Sequence, residues 1–214
     1  MNDLCIYLGN KNYSSWSLRA WLPLKQTGVP FREVIIPLSQ ADSREQLRAH
    51  SPSGRVPVLT HDRLIIWESL AIAEYLAETF PTARLWPAVP AARAVARAVS
   101  AEMHAGFAAL RTHLPMDMRR RYPSREWPAE VGEDIRRIVE LWTDCRRRFG
   151  AGGDFLFGTL SIADAMYAPV VSRFITYGVE LDGPAAAYRD AVWAWSALQE
   201  WVQAAAVEPW TISF

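Results

Sequence analysis

Hydroxyl side chains cluster after the first apolar run of the chain, in the segment Asn12–Arg19 (NYSSWSLR). Ser14 and Ser15 stand where a helix is expected to begin, and serine is a common N-cap because its oxygen accepts a hydrogen bond from a free backbone N–H. The same N–H groups and the helix dipole favour a negative charge. A thiolate would be stabilised there, as cysteines at helix starts are. The segment has no cysteine, so we expect a substrate to bring the thiol.

A second group, Arg55–Leu59 (RVPVL), leads into a predicted strand through Pro57. Proline is tolerated at the first residue of a strand, so this position alone needs no functional explanation. If the Val56–Pro57 bond is cis, the N–H and C=O of Val56 turn outward and can pair with a peptide-like ligand. Only ~5–6% of X–Pro bonds in folded proteins are cis, so the sequence leaves the isomer open.

A third group, Glu68 and Ser69, immediately precedes another helical pattern. Ser69 is expected to be the N-cap of that helix, and a capping serine beside a surface acid would be sufficient to explain the pair. The functional alternative is a clamp for an α-amino acid. Ser69 and free backbone N–H groups would bind its carboxylate, and Glu68 would bind its ammonium group.

Alternating strand and helix signals separate these three groups and predict the order βαβαββα. A strand–helix–strand unit implies a parallel pair, and the final hairpin adds antiparallel strands, so we expect a small mixed sheet with helices packed on it. The expected bounds are Leu4–Leu8, Ser14–Lys25, Phe31–Leu38, 43–49, Pro57–Thr60, Leu64–Trp67 and Ser69–Thr79.

The chain after Phe80 changes character, because prolines interrupt it and no convincing strand pattern follows. The proline-marked stretch Pro115–Pro128 is expected to interrupt the helices. We therefore predict an α/β domain over residues 1–80 and an all-α domain over 88–214, joined by 81–87. The helices expected in the second domain are Ala91–His113, Ala129–Phe149, Ser161–Tyr177 and 185–205.

Composition excludes several classes of protein. The 23 basic residues are balanced by 23 acidic ones, and the balance holds in each half, which argues against a nucleic-acid partner. No apolar run reaches the ~18–20 residues of a membrane span. Cys5 and Cys145 are expected to be buried, and the four histidines are scattered, so no metal site is expected. These features predict a cytoplasmic globular protein that binds neither membrane nor nucleic acid.

Taken together, the SSWS, VP and ES elements in a βαβαββα unit resemble the glutathione transferase superfamily. The resemblance covers essentially the whole chain and implies a thioredoxin-like domain followed by an all-helical one. Ser161–Asp164 matches the family's capping box, (S/T)xxD. The bacterial serine-type classes, zeta-like and tau-like, are most similar, because their first serine falls on Ser14. Trp16 departs from the zeta pattern, which has a cysteine there.

The resemblance implies a glutathione S-transferase that acts in detoxification as a homodimer, with glutathione as co-substrate and no metal. Ser14 would donate a hydrogen bond to the glutathione sulfur and favour its thiolate, and Ser15 is the second candidate. Arg55 would contact a carboxylate of glutathione. The residues implied for glutathione binding are Arg55, Val56, Pro57, Glu68 and Ser69.

The second substrate is expected to be a small hydrophobic electrophile bound between the domains. Its predicted pocket uses a helix face with Met103, His104, Phe107 and Arg111, to which Tyr13 is added. Packing in the protein core explains the apolar residues Met103 and Phe107 equally well. A glutathione-dependent isomerase, similar to maleylacetoacetate isomerase, or a peroxidase would share every motif. A non-catalytic binding protein of the same fold is the remaining alternative.

Overall fold

The computed structural model describes residues 3–123 and 126–213. Its N-terminal part is a four-stranded sheet in the order β2-β1-β3-β4. Strand β1 pairs parallel with β2 and antiparallel with β3, which pairs antiparallel with β4. The mixed sheet and the βαβαββα order are confirmed. The elements are β1 (Leu4–Leu8), α1 (Ser15–Gln26), β2 (Arg32–Ile35), α2 (Ser43–His50), β3 (Val58–His61), β4 (Leu64–Trp67) and α3 (Ser69–Thr79).

Strand β1 lies at the centre of the sheet, which explains its continuous apolar sequence. Leu4, Cys5, Ile6 and Leu8 are all buried, as expected for a strand covered on both faces. Strand β2 is shorter than the Phe31–Leu38 expected from the sequence. Pro37 has no N–H to donate to a neighbouring strand. The N–H of Leu38 donates instead to Oδ1 of Asn10, at 2.7 Å.

The second part of the chain is helical, as the sequence predicts. Among the residues that the structure describes there, β structure is limited to the isolated bridges Phe155–Gly158 and Phe157–Thr159. Residues 114–123 and 126–128 contain no helix, in agreement with the expected interruption, whose residues 124 and 125 lie outside the described part. The helices are α4 (Pro90–Ala105), α5 (Ala108–His113), α6 (Ala129–Phe149), α7 (Ile162–Thr176), α8 (Gly183–Trp193) and α9 (Ser196–Ala206).

Two expected helices are each divided in two, which corrects the sequence prediction. The helix expected over Ala91–His113 ends at Gly106, whose backbone is extended, and resumes after Phe107, whose φ is 56°. Glycine is a poor helix former, and this turn buries the Phe107 ring in the core. The helix expected over 185–205 is interrupted between α8 and α9, where the turn buries Trp195.

Helix α7 is buried over almost its whole length and joins the two parts of the chain. It begins with the predicted capping box, in which the Asp164 carboxylate accepts hydrogen bonds from the N–H of Ser161 at 2.8 Å and its hydroxyl at 3.0 Å. Helix α1 packs directly against α7. Arg19 of α1 donates through Nε to the carbonyl oxygen of Met166, at 3.0 Å. The start of α1 is therefore held at the boundary between the sheet and the helices.

Three further expectations concern the two cysteines, membrane-spanning helices and the domain limits. Cys5 and Cys145 are buried free cysteines, as predicted. Across residues 3–123 and 126–213, no helix is both long and apolar enough to cross a membrane. The domain limits of 1–80 and 88–214 stay a prediction.

Candidate active site

Ser14 caps helix α1 and is linked to the sheet through Ser17. Its Oγ accepts a hydrogen bond from the N–H of Ser17 at 3.3 Å and donates to the Ser17 hydroxyl at 2.8 Å. Ser17 in turn accepts a hydrogen bond from the N–H of Gly9, at the end of β1. The three groups form one buried chain, in which the Ser14 hydroxyl is the member that faces a cavity.

That cavity, which we call the serine cavity, has a volume of about 460 Å³. Ser15 lies in it as the first residue of α1, and within the described part of the chain its hydroxyl makes no hydrogen bond. Both candidate serines therefore meet the same space at a helix N-terminus, where free N–H groups favour an anion. The lining residues are Tyr13, Ser14, Ser15, Trp16, Leu38, Arg111, Pro115, Met116 and Arg173.

A second cavity of about 380 Å³, which we call the Val56 cavity, brings together all five residues expected to bind glutathione. The Val56–Pro57 peptide bond is cis, the alternative that the sequence left open. Within the described residues, neither the N–H nor the C=O of Val56 makes a hydrogen bond. The lining residues are Trp16, Ser53, Arg55, Val56, Pro57, Glu68, Ser69, His104 and Arg111.

Ser69 presents an unpaired hydroxyl to the Val56 cavity. Its Oγ is buried and has no hydrogen-bond partner in the described part of the chain. The expected N-cap role is wrong, because Glu68 is the N-cap, with a φ of 69°, and Ser69 is the first helical residue of α3. Buried hydroxyls are normally hydrogen-bonded, so an empty position points to a ligand group. The Ser69 hydroxyl can donate to the carboxylate of an α-amino acid, and the half-exposed Glu68 carboxylate beside it can bind the ammonium group.

Trp16 and Arg111 line both cavities, and the Trp16 ring is surrounded by cationic and imidazole groups. The guanidinium carbons of Arg19 and Arg111 lie 4.6 and 5.4 Å from its ring centroid. The His104 ring meets it edge-on at 5.1 Å. A cation over an indole face is favourable, and tryptophan is the best aromatic partner for it. The residue that replaces the zeta cysteine therefore forms the wall between the two cavities.

His104 of α4 lies close to Glu68 in the Val56 cavity. Its Nε2 is 3.8 Å from Glu68 Oε2, and its Nδ1 is buried without a partner among the described residues. Burial lowers the pKa of His104, and Arg19 and Arg111 lower it further, against the opposing effect of Glu68. The neutral imidazole is therefore the dominant form at neutral pH.

The other residues expected in the second-substrate pocket are divided by the structure. Arg111 and Tyr13 line the serine cavity, and His104 lines the Val56 cavity. Met103 and Phe107 are not brought to either cavity, because both side chains are buried in the core. The single helix face expected for these residues does not exist, since the helix is divided at Gly106.

The hydroxyls of Tyr7 and Tyr13 lie in different surroundings, and only Tyr13 is placed at one of the two cavities. Tyr7 stacks on His50 with ring centroids 4.4 Å apart, lies outside both cavities, and has its pKa raised by burial. Burial also acts to raise the pKa of Tyr13, but hydrogen bonds from the Ile212 backbone and Arg119 outweigh it and lower that pKa. The Tyr13 hydroxyl accepts from Arg119 Nη2 at 2.9 Å, which fixes the ring at the serine cavity.

Sequence reasoning missed Arg173, Met116, Pro115 and Leu38 of the serine cavity. One signal was available for Arg173, because it is the single charged residue in the apolar stretch from Ala165 to Phe174. Arginine is almost never fully buried unless it is paired or has a specific role. The other three carry no sequence signal, since apolar residues and proline are equally common in a core or a loop.

Comparison with known proteins agrees with this geometry. The structure is similar to that of a glutathione transferase homologue from Burkholderia gl BGR1 with bound glutathione, with a TM-score of 0.72, 25% identity and coverage of 95% of this chain and 98% of that one. Maleylacetoacetate isomerase of Rattus norvegicus is 27% identical over 82% of this chain and 80% of its own length. A probable maleylacetoacetate isomerase of Caenorhabditis elegans is 39% identical over 44% of this chain and 42% of its own length.

Family models give the same result over most of the chain. The model of the glutathione S-transferase N-terminal domain matches residues 13–79, which include both candidate serines and the five residues expected to bind glutathione. The model of the C-terminal domain of the same family matches residues 93–204. The resemblance recognised in the sequence is thereby confirmed, and the chain belongs to the glutathione S-transferase family.

Proposed function

We propose that this glutathione S-transferase binds glutathione along the Val56 cavity and activates its sulfur as a thiolate at the start of α1. The observation that carries the proposal is the arrangement of the two cavities. All five expected glutathione residues line one cavity, the serines line the other, and Trp16 and Arg111 line both. A tripeptide bound in the Val56 cavity can therefore present the thiol of its central residue to the serine cavity.

The free hydrogen-bonding groups of the Val56 cavity match the parts of glutathione. The unpaired N–H and C=O of Val56 are placed to pair with the peptide backbone of the ligand. The unpartnered Ser69 hydroxyl and the free N–H groups of α3 would bind the γ-glutamyl carboxylate, and Glu68 would bind its ammonium group. Arg55 lines the same cavity and would bind a further carboxylate of glutathione.

Ser14 would donate its hydroxyl hydrogen to the sulfur. Its present acceptor, Ser17, already receives the N–H of Gly9, so the Ser17 hydroxyl can donate to Ser14 once Ser14 turns to the ligand. The chain Gly9 N–H, Ser17 O–H, Ser14 O–H, sulfur would then be polarised in one direction, which strengthens each bond. Ser15, whose hydroxyl is unpaired in the described chain, would be a second donor.

The reaction requires no metal. Stabilising the thiolate lets the thiol proton go to solvent. If the pKa of the glutathione thiol is lowered by about two units, the thiolate is stabilised relative to the thiol by about 2.7 kcal/mol. The sulfur lone pair then forms a C–S bond with the electrophilic carbon. In a substitution, the leaving group departs with the electrons of its bond to that carbon. Leu38, Pro115 and Met116 offer apolar surface for the body of the electrophile.

The same proposal includes a cytoplasmic homodimer that acts in detoxification. The edge strand β4 supports the dimer, because Leu64, Ile65 and Trp67 are 48%, 46% and 43% exposed. Ile65 and Trp67 point to the same face of the sheet, because alternate residues of a strand share a face, and large exposed apolar side chains on an edge strand favour cover by another surface. A second copy of the chain is the proposed partner.

Titration of the ultraviolet thiolate absorbance of protein-bound glutathione tests the proposal. Thiolate should appear well below the ~8.5 of a free thiol, and Ser14→Ala should return the titration toward that value while glutathione still binds. Normal titration of bound glutathione in the unaltered protein would favour the non-catalytic binding alternative. Absence of binding would contradict the proposed function altogether.

A glutathione-dependent isomerase is the second candidate function. The observation that favours it is the match to proteins named maleylacetoacetate isomerase or probable maleylacetoacetate isomerase, of which the Rattus norvegicus protein is aligned over 82% of this chain. Thiolate addition to a double bond, rotation and thiolate elimination would use the same site and regenerate glutathione. Assaying isomerisation of maleylacetoacetate beside conjugation of a chloronitrobenzene, with a peroxide as third substrate, separates isomerase, transferase and peroxidase.

A further inference from the structure

Three arginines from three different helices lie together beside the serine cavity. Arg19 comes from α1, Arg111 from α5 and Arg173 from α7. Both terminal nitrogens of Arg19 are buried and have no hydrogen-bond partner in the described chain. Its guanidinium lies against one side of Trp16, and Arg111 also contacts that ring. The wall between the two cavities therefore carries concentrated positive charge.

Arg173 extends that charge into the serine cavity itself. Its side chain lines the cavity, yet the residue is only 3% exposed. Its partners are neutral, since Nε donates to the carbonyl oxygen of Leu114 at 2.8 Å and Nη1 to that of Pro169 at 3.1 Å. Arg111 likewise donates to a carbonyl oxygen, that of His104, at 3.3 Å.

No carboxylate among residues 3–123 and 126–213 forms an ion pair with any of the three arginines. Burial, with a smaller contribution from Arg111, lowers the pKa of Arg173 to about 10 against the opposing effect of Tyr177. Burial of a charge without a partner of opposite charge is unfavourable, and carbonyl oxygens offset it only in part. An anion bound in the serine cavity would supply the missing partner.

We propose that the electrophilic substrate carries a carboxylate group, which binds to Arg111 and Arg173 in the serine cavity. This inference rests on the proposed function and specifies its second substrate. Two guanidinium groups suit a carboxylate, because each can donate paired N–H bonds to its oxygens. Leu38 and Met116 contact the apolar body, and the electrophilic carbon faces the sulfur at Ser14. Arg19 contributes charge from behind Trp16 without touching the substrate.

Arg111 by itself does not distinguish the substrate from glutathione, because it lines both cavities and glutathione also carries carboxylates. Arg173 makes the distinction, since it lines the serine cavity and is absent from the lining of the Val56 cavity. A change at Arg173 should therefore alter use of the electrophile and leave the KM for glutathione nearly unchanged.

A matched pair of electrophiles tests the proposal. The probes are 4-chloro-3,5-dinitrobenzoate and its methyl ester, in which the thiolate sulfur bonds to the ring carbon, chloride leaves with the bonding electrons and the thiol proton goes to solvent. After division by the uncatalysed rate with glutathione, kcat/KM should be about tenfold higher for the carboxylate than for the ester. Arg173→Met should remove this preference, and Arg173→Lys should retain most of it.

Two further variants complete the design. Arg111→Gln alters a half-buried side chain and carries the test if Arg173→Met does not fold, with the same loss of preference expected. Arg147→Gln is the matched control, because Arg147 is a surface residue of α6 whose side chain is 76% exposed. Arg147→Gln should leave the preference unchanged.

Binding of the unreactive 3,5-dinitrobenzoate, measured by calorimetry without glutathione, separates this inference from the proposed function. Binding that weakens about tenfold in Arg173→Met supports the anion site even if no conjugation is observed, because Arg173 lines the serine cavity alone. Efficient conjugation of the ester with no preference for the carboxylate overturns the inference and leaves the glutathione chemistry standing. Failure of 3,5-dinitrobenzoate to bind also overturns it.

Discussion

The hydroxyl of Ser14 lies 2.8 Å from the hydroxyl of Ser17, one helical turn away and buried between α1 and the end of β1. Ser17 receives the N–H of Gly9 at 2.9 Å, so the residue that anchors α1 to the sheet also holds the proposed thiolate donor. The link makes the position of Ser14 a property of the packed domain as well as of the local helix cap.

Replacement of Ser17 by alanine should therefore affect both stability and catalysis. Ser17→Ala leaves the buried N–H of Gly9 without an acceptor, and we expect about 1–3 kcal/mol less free energy of unfolding in urea. The pKa of bound glutathione should rise, because Ser14 loses the group that polarises it. Ser100→Ala, which removes a buried hydroxyl in α4, is the control. An unchanged thiol pKa in Ser17→Ala would show that Ser17 acts only in packing.

Replacement of Ser69 should affect glutathione binding and leave stability nearly unchanged, because its hydroxyl has no hydrogen-bond partner within the described part of the chain. Ser69→Ala is expected to change the free energy of unfolding by a few tenths of a kcal/mol and to raise the KM for glutathione about tenfold, as loss of a bond to a charged group predicts. Ser43→Ala is a matched comparison, since that hydroxyl bonds to Gln40 N and Pro37 O outside both cavities. It should cost stability and leave KM unchanged. The reverse pattern would refute the assignment of Ser69.

The buried capping box of α7 predicts a pH dependence of stability. Burial raises the pKa of Asp164 to about 6, above its ordinary value of 3.8, so the folded protein binds more protons than the unfolded chain between these values. Stability from this group is therefore greatest below about pH 4 and decreases as pH rises through 6, by about 3 kcal/mol in total.

Comparison of Asp164→Asn with the unaltered protein isolates this effect from other carboxylates. The N–H groups of Leu156 and Ser161 bond to different oxygens of Asp164, and asparagine keeps only one of them, so the variant should be less stable at every pH. The difference in free energy of unfolding, measured in urea from pH 4 to 8, should become smaller as the pH rises. A constant difference across this range would contradict a raised pKa.

The edge strand β4 gives a test of the proposed dimer. Trp67 is 43% exposed and shares one face of the sheet with Ile65, which is 46% exposed. Trp67→Glu should shift the protein from dimer to monomer in sedimentation velocity, because a charge would enter a buried apolar interface. Val207→Glu is the control, since Val207 is 82% exposed after the end of α9. A monomeric unaltered protein would exclude the dimer.

The order of strands and helices could be predicted from the sequence because it depends on local patterns. The apolar run Leu4–Leu8, the helical spacing of Ser69–Thr79 and the capping box at Ser161–Asp164 each reflect interactions between near neighbours in the chain. The motifs around Ser14 and Pro57 were also visible, because serine and proline have strong local backbone preferences.

Only the tertiary structure decided which residues meet. It placed Met103 on the buried face of α4 and turned Phe107 into the core through the break at Gly106. It placed Arg173 of α7 in the same cavity as the serines at the start of α1, although these residues are about 160 positions apart in the chain. Such an arrangement depends on how whole helices pack, so the chemistry of the serine cavity could not be predicted from the order of the amino acids alone.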